Sequence, residues 1–252
     1  MSQLSINCGF KFEKKNTDTD GKISWVGVKK KDNAVPLSGL IQAFWSDVDI
    51  RLNQQRVTNN RHNSQMTSIL SKLTTSHYYP STLGRLSGVA DDTTNPDIFS
   101  SENSGFDLRQ DMYCNKDSDS DLSSAKIVNL RGPLYSNISS NPWPIPSDID
   151  IYLSLTRNKD EVLITQTDSD VIKNDIFRIT LEYLEVIVPR IIIDPSVHNE
   201  IEKELIKKPI EMVYNRLEMR TFVIGPGCLS FDSGSLFQGY DIVSFFFVNK
   251  KI

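Results

Sequence analysis

The sequence contains no long apolar run. Its longest apolar burst, "IVSFFFV" at residues 242–248, has the length of a buried strand. A membrane helix needs roughly 18 consecutive apolar residues. The N-terminal stretch "MSQLSINCGFKFEKK" also lacks the apolar segment of a signal peptide. The sequence therefore predicts neither a membrane span nor a secretory signal.

Cysteine and histidine are scarce. Cys8, Cys114 and Cys228 are scattered without CxxC spacing, which favours reduced thiols in an intracellular setting over a disulfide framework. The histidines form neither HxH nor HExxH pairs, so we expect no zinc site and no cofactor. They are His62, His77 and His198.

An excess of positive charge is missing as well. Lys and Arg total 28 against 32 Asp and Glu, and the formal net charge is −4. Nucleic acids and anionic membranes attract basic surfaces. The composition therefore predicts no specific nucleic-acid partner and no membrane partner.

What the sequence does contain is short alternating segments. Residues 4–15 and 22–30 alternate apolar and polar side chains around the turn signal "NTDTDG", which predicts a β-hairpin. Residues 47–53 alternate in the same way. Further predicted strands are "AKIVNLRGPL", "DIDIYLSLTR", "EVLITQT", "FRITLEYLEVIVPRIII", "EMRTFVIGPG" and "YDIVSFFFV". These short strands, separated by turn residues, indicate an all-β fold: an antiparallel β-sandwich of jelly-roll type.

Helical spacing is rare. Apolar residues at i, i+3, i+4 and i+7 predict a helix over 65–75, and Pro209 follows a second predicted helix at 195–208. Residues 36–45 suit a short helix or a loop. Residues 80–125 are rich in Ser, Asp, Asn and Gly, so we expect a flexible surface insertion there within a single domain spanning 1–252.

Two acidic segments resemble calcium loops only in part. In "NTDTDGKI", Asn16, Asp18 and Asp20 have the spacing of ligands, but Gly27 stands where a bidentate Glu is needed. A plain hairpin turn explains this segment better. In "KDSDSDLSS", Leu122 replaces the turn glycine, which favours a solvated acidic loop carrying Asp117, Asp119 and Asp121.

Two carboxylate pairs have the spacing of one strand face. Asp47 with Asp49, and Asp148 with Asp150, are each two residues apart. Such a pair suits a catalytic dyad, but an outward polar strand face is the commoner reason for it. We therefore predict that the chain is not an enzyme.

Four collinear segments resemble one viral family. They are "LSGLIQAFWSDVDIRLNQQRVTNN", "NLRGPLYSNISSNPWPIPSDIDIYLSLTRNKDEVLI", "FRITLEYLEVIVPRIIIDPSVHNEIEKEL" and "PIEMVYNRLEMRTFVIGPGCLSFDSGSLFQGYDIVSFFFV". Together they resemble the major capsid proteins of Polinton/Maverick elements and adintoviruses. The resemblance covers about residues 36–248 and is weakest across 80–125.

The resemblance implies a hexon-like structural protein of the virion. Members of this family carry two jelly rolls and trimerise into capsomers, whereas this chain resembles the first jelly roll only. Homo-oligomers and other capsid proteins are the implied partners, and the implied location is the virion capsid, after an intracellular stage in cytoplasm or nucleus. The chain would then be a capsid protein or a truncated or captured copy of one.

This reading yields a core and an interface. The residues expected to be buried are Val48, Ile50, Leu52, Ile149, Ile151, Leu153, Ile179, Leu181 and Val223, with Phe44 and Trp45 plugging one end of the sandwich. A strand through the three phenylalanines near the C-terminus must place an aromatic ring on each face, so one face is expected to meet another subunit. The interface candidates are Phe245, Phe246, Phe247, Trp45 and Trp143.

Two other functions stay open. The first is a ligand- or carbohydrate-binding β-sandwich, which needs exposed aromatics on a loop rim; Trp143 in "NPWPIP" is the candidate. The second is a β-rich hydrolase, which needs a convergent polar pocket.

Overall fold

A computed structural model describes most of the chain. The described residues are 4–60, 62–74, 83–91, 104–120, 123–134, 145, 149–166, 176–207, 226, 230 and 232. The chain divides into two compact units, Met1–Leu217 and Glu218–Ile252. All the helices and strands given below belong to the first unit.

The chain is mostly β-strand, with few helices. In chain order the elements are β1 (Ser5–Thr17), β2 (Ile23–Gly27), β3 (Ala34–Pro36), α1 (Leu40–Ala43), β4 (Trp45–Leu52), β5 (Gln55–Asn60), α2 (Asn63–Thr74), α3 (Leu83–Leu86), α4 (Ser104–Tyr113), β6 (Ile127–Pro133), β7 (Ile151–Arg157), α5 (Asp160–Leu163), β8 (Ile164–Gln166), β9 (Phe177–Ile187) and α6 (Pro195–Lys207).

The strands form antiparallel sheets. In the first sheet, β1 pairs along one edge with β9 and along the other with β6 and β2. The second sheet has the order β5-β4-β7, and β3 pairs with β8 in a small separate ladder. The described strand pairs are all antiparallel, which agrees with the predicted sheet type.

Both large sheets contribute to one apolar core. From β1 come Ile6, Cys8, Phe10 and Phe12, which alternate with polar residues as the sequence predicts. From the second sheet come Val48 and Ile50 of β4. The remaining members of the core include Val28, Ala34, Leu40, Ile41, Phe44, Trp45, Tyr113, Cys114, Leu130, Leu163, Phe177 and Ile179.

The predicted hairpin at the N-terminus is confirmed. β1 and β2 pair through Glu13 to Thr17, and the turn closes with a hydrogen bond from the Gly21 N–H to the Asp18 carbonyl at 2.9 Å. The Asp18 carboxylate accepts a hydrogen bond from the backbone N–H of Thr19 at 2.8 Å. Gly21 has a φ of +75°, which L residues with side chains rarely adopt. The segment thus serves as a turn.

The expected core is only partly correct. Val48, Ile50 and Ile179 are buried, and Leu52, Leu153 and Leu181 are partly buried against the core. Ile149 is half-buried, and Val223 lies outside the described residues. Ile151 is 43% exposed. The prediction for Ile151 was wrong because strand alternation gives the direction of a side chain, whereas burial also needs a neighbour that covers it.

The segment 80–125 is not a loop throughout. It contains α3 and α4, and α4 buries Phe106, Arg109, Gln110 and Tyr113 on one face. Polar residues occupy two of these four buried positions. The Gln110 amide donates to the Lys30 carbonyl at 2.9 Å, and the Arg109 guanidinium donates to the Ala90 carbonyl. The expected surface insertion therefore contributes to the core at Tyr113 and Cys114.

Asn115 fastens this segment to the hairpin. Its backbone N–H donates to the Val28 carbonyl at 2.7 Å. Its side-chain amide donates to Ser123 Oγ at 3.1 Å and to the Ser124 carbonyl at 3.0 Å. One buried side chain therefore holds residue 115 to Ser123 and Ser124 beside β2. Between them, Asp117 accepts a hydrogen bond from the Lys31 N–H at 3.1 Å.

We expect Asn115→Ala to loosen this turn and lower the free energy of unfolding by roughly 1–3 kcal/mol, because the Ser124 carbonyl loses its donor in a half-buried site. Urea denaturation measures the loss, and limited proteolysis should show faster cutting within 116–124. Asn129, which is exposed on β6, supplies the control: Asn129→Ala should change neither measurement. Equal effects of the two variants would contradict the anchoring role.

Ile50→Asp should lower the free energy of unfolding by more than about 3 kcal/mol, because it places an unpaired charge in the shared core. Ile151→Asp should cost under about 1 kcal/mol because water already reaches the side chain. Urea midpoints of the two variants test the difference, and similar losses would mean that β7 is covered at Ile151.

Candidate functional site

A continuous stretch of chain carries an unusual amount of exposed apolar surface. It begins in the second half of β9, passes through the extended residues 188–194 and continues into α6; we call it the β9–α6 surface. Ile192 is 97% exposed. The other exposed apolar residues of this surface are Leu184, Val186, Val188, Ile191, Ile193, Val197 and Ile201.

The β9 part of this surface faces the same way as the core. Leu184 pairs with Cys8 and Val186 pairs with Ile6, and directly opposed residues of an antiparallel pair point to the same face. Cys8 and Ile6 are fully buried, yet Leu184 and Val186 are exposed. At this end of the first sheet, the core therefore covers β1 but stops short of β9.

Helix α5 explains why the other end of β9 is closed. The Ile179 N–H donates to the Asp160 carboxylate at 3.1 Å, and Asp160 also accepts a hydrogen bond from Arg157. Leu163 of α5 is fully buried in the core. Exposure of the core-facing side chains consequently rises along β9 with distance from α5, from Ile179 to Val186.

Helix α6 is confirmed, and its boundaries follow from local chemistry. The Asp194 carboxylate accepts hydrogen bonds from the Ser196 N–H at 2.9 Å and from Ser196 Oγ at 2.6 Å. These two hydrogen bonds lower the pKa of Asp194. Pro195 suits the first helical position, where no N–H is needed. The predicted apolar side of the helix is real, but Val197 and Ile201 are exposed on it.

Charges are sparse in the first part of this surface. Between Leu184 and Ile193 the sequence has one acid, Glu185, and one base, Arg190. Glu185 accepts a hydrogen bond from the Asn7 side chain at 2.8 Å. Just before this stretch, Glu182 forms an ion pair with Lys11 at 2.8 Å. Residues 184–193 therefore carry little charge to repel an apolar partner, whereas α6 adds the exposed charges of Glu200, Glu202, Lys203, Glu204 and Lys207.

On the opposite face of the first sheet, polar side chains bind one another. The Glu13 carboxylate accepts hydrogen bonds from Arg178 at 2.8 Å and from Thr180 at 2.7 Å. The Arg178 guanidinium lies 3.8 Å from the centre of the Trp25 ring, in a cation–π contact. Trp25 is therefore covered on one face and offers that face to no sugar ring.

The two carboxylates of β4, Asp47 and Asp49, bind neighbouring side chains. Asp49 accepts hydrogen bonds from Arg56 at 2.9 Å and from Arg51 at 3.0 Å, whereas Asp47 accepts one from Ser46 at 2.9 Å. Burial raises the pKa of Asp49, but the two arginines outweigh burial and the net pKa is lowered. Asp49 is thus held ionised by ion pairs with Arg51 on its own strand and Arg56 on β5. Asp148 lies outside the described residues.

Two polar side chains, Tyr113 and Gln42, are buried close to glycines. Tyr113 lies against Gly88, where a Cβ would come within 2.5 Å of its hydroxyl, and burial raises the pKa of that hydroxyl. The Gln42 side chain lies close to Gly132 and Gly39. Each glycine leaves just enough room for its neighbour.

The described cysteines are buried thiols. Burial raises the pKa of Cys8 to about 12 and that of Cys114 to about 12. A nucleophilic or metal-binding cysteine needs the thiolate form. Among the residues that the structure describes, no three His, Cys, Asp or Glu side chains form a group able to hold a metal ion.

The predicted interface residues and the observed surface differ. Trp45 is 4% exposed and belongs to the core, so the expectation of an interface role was wrong, while its expected place in the core is confirmed. Trp143, Phe245, Phe246 and Phe247 lie outside the described residues. Sequence reasoning missed the residues of the β9–α6 surface, although "IVPRIII" was visible as an apolar run.

Asp49→Asn should lower the free energy of unfolding at pH 7 by about 1 kcal/mol, because both arginines lose a charged acceptor. The folded-state pKa lies below the ordinary value of 3.8, so this stabilisation is complete above that value and lost as pH falls through the folded-state pKa. Urea unfolding at pH 7 and pH 2.5 measures it. A difference between variant and parent that persists undiminished at acid pH would contradict this role.

Within the described part of the chain, no helix has the length and apolar content to span a bilayer. No family model, curated protein or solved structure matches the chain.

Proposed function

We propose that this chain is a structural protein that works by self-association, of the jelly-roll capsid type. Its implied partners are further copies of itself, in a trimeric capsomer, and other capsid proteins of a virion. The resemblance to the Polinton and adintovirus major capsid proteins supplies this specific form. The β9–α6 surface supplies the physical reason for association.

The observation that carries the proposal is the exposed apolar stretch from Leu184 to Ile201. Eight large aliphatic side chains within it are exposed. The largest apolar patch on a typical monomer is about 300–600 Å² and often marks an interaction site. Covering apolar surface gains about 25 cal/mol per Å², so burial of this stretch against another molecule favours association.

The arrangement of elements supports the capsid form. The segment "AFWSDVDIRLNQQRV" includes β4, which places Val48 and Ile50 in the core and Asp49 among arginines. The next two resembling segments include β6, β7, β9 and α6 in the same order. Two sheets around one core are the framework that a jelly roll requires.

The C-terminal strand remains a prediction. Phe245, Phe246 and Phe247 lie outside the described residues, and we expect one of their faces to meet another subunit. The β9–α6 surface does not replace that expectation, because a shell protein uses several contacts.

A carbohydrate- or ligand-binding sandwich is the second candidate. Tyr152 is an exposed aromatic on β7 and is available for stacking on a sugar. Arg178 covers one face of Trp25, which removes a second stacking platform. An isolated aromatic is weaker support than a continuous apolar surface, so we favour self-association.

We expect the unmodified chain to sediment as a trimer or larger species, and Ile192→Lys to shift it towards smaller species, because the variant places a charge in the buried contact. Sedimentation velocity over a range of concentrations measures both. Ile23 on β2 is also exposed, so Ile23→Lys is the matched control and should sediment as the parent does.

A parent chain that stays monomeric at high concentration would overturn the proposal. A glycan-array signal from that monomer, abolished by Tyr152→Ala, would instead establish the binding-module alternative.

A further inference from the structure

Strand β9 presents hydrogen-bonding groups along the edge that β1 does not use. No described strand pairs with this edge, which we call the second edge of β9. The Ile179 N–H points to it and donates to Asp160. Beyond Leu181 the register shifts, because Phe10 pairs with Leu181 whereas Gly9 pairs with Tyr183. Glu182 is therefore the extra residue of a β-bulge.

The bulge determines which backbone groups reach the second edge after it. The Phe12 carbonyl accepts from Val28 on the β2 side, and the Leu4 carbonyl accepts from Leu134 on the β6 side. The backbone N–H and C=O groups of even-numbered β1 residues thus point away from β9. Leu184 and Val186 oppose even-numbered residues. In an antiparallel ladder such non-hydrogen-bonded partners direct their own N–H and C=O groups to the far edge.

The same residues therefore present both apolar side chains and backbone hydrogen-bonding groups. Leu184 and Val186 turn apolar side chains towards the uncovered side of the core and turn backbone donors and acceptors to the second edge. Asp160 and α5 occupy that edge near Ile179. This leaves a short accessible stretch, about residues 184–188, of the kind that accepts an added strand.

We propose that the second edge of β9 pairs with the same edge of a second copy, antiparallel and about a two-fold axis at Val186. In this register Val186 opposes Val186 of the second copy, and Leu184 opposes its Val188. Each copy thus contributes the same three apolar residues, Leu184, Val186 and Val188, in opposite directions. The apolar faces of both copies then form one continuous face. The inference rests on the proposed self-association and adds a two-fold contact between two copies, whereas closing a trimer needs a different, head-to-tail contact.

The residues of this stretch are compatible with antiparallel pairing to a second copy of the same stretch. With the axis at Val186, Glu185 opposes Ile187 of the second copy and no charge opposes a like charge. Pro189 lacks an N–H, but an odd-numbered residue in this strand would direct that group towards its own β1. Pro189 also lies past Ile187, where the described pairing of β9 with β1 ends, so it removes no hydrogen bond of that ladder. A two-fold contact of this kind is self-complementary by symmetry.

The length of the exposed apolar stretch also favours a protein partner over a small ligand. A stable protein contact buries about 800 Å² on each partner, more than a short strand ladder supplies. The apolar residues that follow, Ile191 to Ile193 and one side of α6, are exposed in the same stretch of chain and extend the contact. A small ligand would leave most of this surface in water.

Disulfide trapping tests the register. Val186→Cys should form an intermolecular disulfide under mild oxidation, because opposed residues in a ladder have Cα atoms about 5.5 Å apart, within disulfide range. Val188→Cys is the matched control: it opposes Leu184 of the second copy and should crosslink at least tenfold less. The unmodified chain, with Cys8, Cys114 and Cys228, gives the background.

A second variant tests pairing at the second edge of β9 without a crosslinking reaction. Val186→Lys should reduce the two-fold species at least tenfold in sedimentation velocity, while circular dichroism remains that of the parent. Crosslinking of Val186→Cys and Val188→Cys to the same extent would overturn the register. A parent that associates while Val186→Cys stays uncrosslinked and Val186→Lys associates normally would overturn this contact but leave the proposed self-association standing. A monomeric parent would overturn both.

Discussion

The structure depends on β1. This one strand pairs with β9 along one edge and with β6 and β2 along the other, and its even-numbered side chains supply a row of core residues from Ile6 to Phe12. Elements more than 100 residues apart in sequence therefore meet on a single 13-residue strand. Pairings of such long range close large loops and make folding slow. The hairpin of β1 and β2, whose turn is short, is the local pairing of this strand.

The same strand limits the core. Gly9 has no side chain, and the Tyr183 ring lies where a Cβ would be. The β9 bulge at Glu182 falls beside this glycine. Before the bulge, β9 is closed by α5; after it, the strand extends past the covered region. The exposed apolar end of β9 thus follows from where the chain places one bulge and one short helix.

Local sequence patterns predicted the parts of the fold that local chemistry decides. Alternation predicted the hairpin and β4, and helical spacing with a following proline predicted α6. The same rules missed α4, because Arg109 and Gln110 occupy two of its buried positions and bond to backbone carbonyls. They also misplaced Ile151 and did not identify the exposed residues of β9. Alternation gives the face of a side chain, but the neighbour that covers that face comes from distant parts of the chain.

Exposed apolar residues can be tolerated one at a time, and a monomer carries many of them. The β9–α6 surface differs because its exposed side chains lie in one stretch of chain and because no described strand pairs with the second edge of β9 beside them. Natural sheets usually protect such edges with inward charges, proline or a covering element. Here Asp160 protects only the part of β9 near Ile179, and Pro189 lies beyond the strand. Protection of one end with exposure of the other is expected where pairing is confined to one short register, since a fully open edge would allow β9 to slip against a partner.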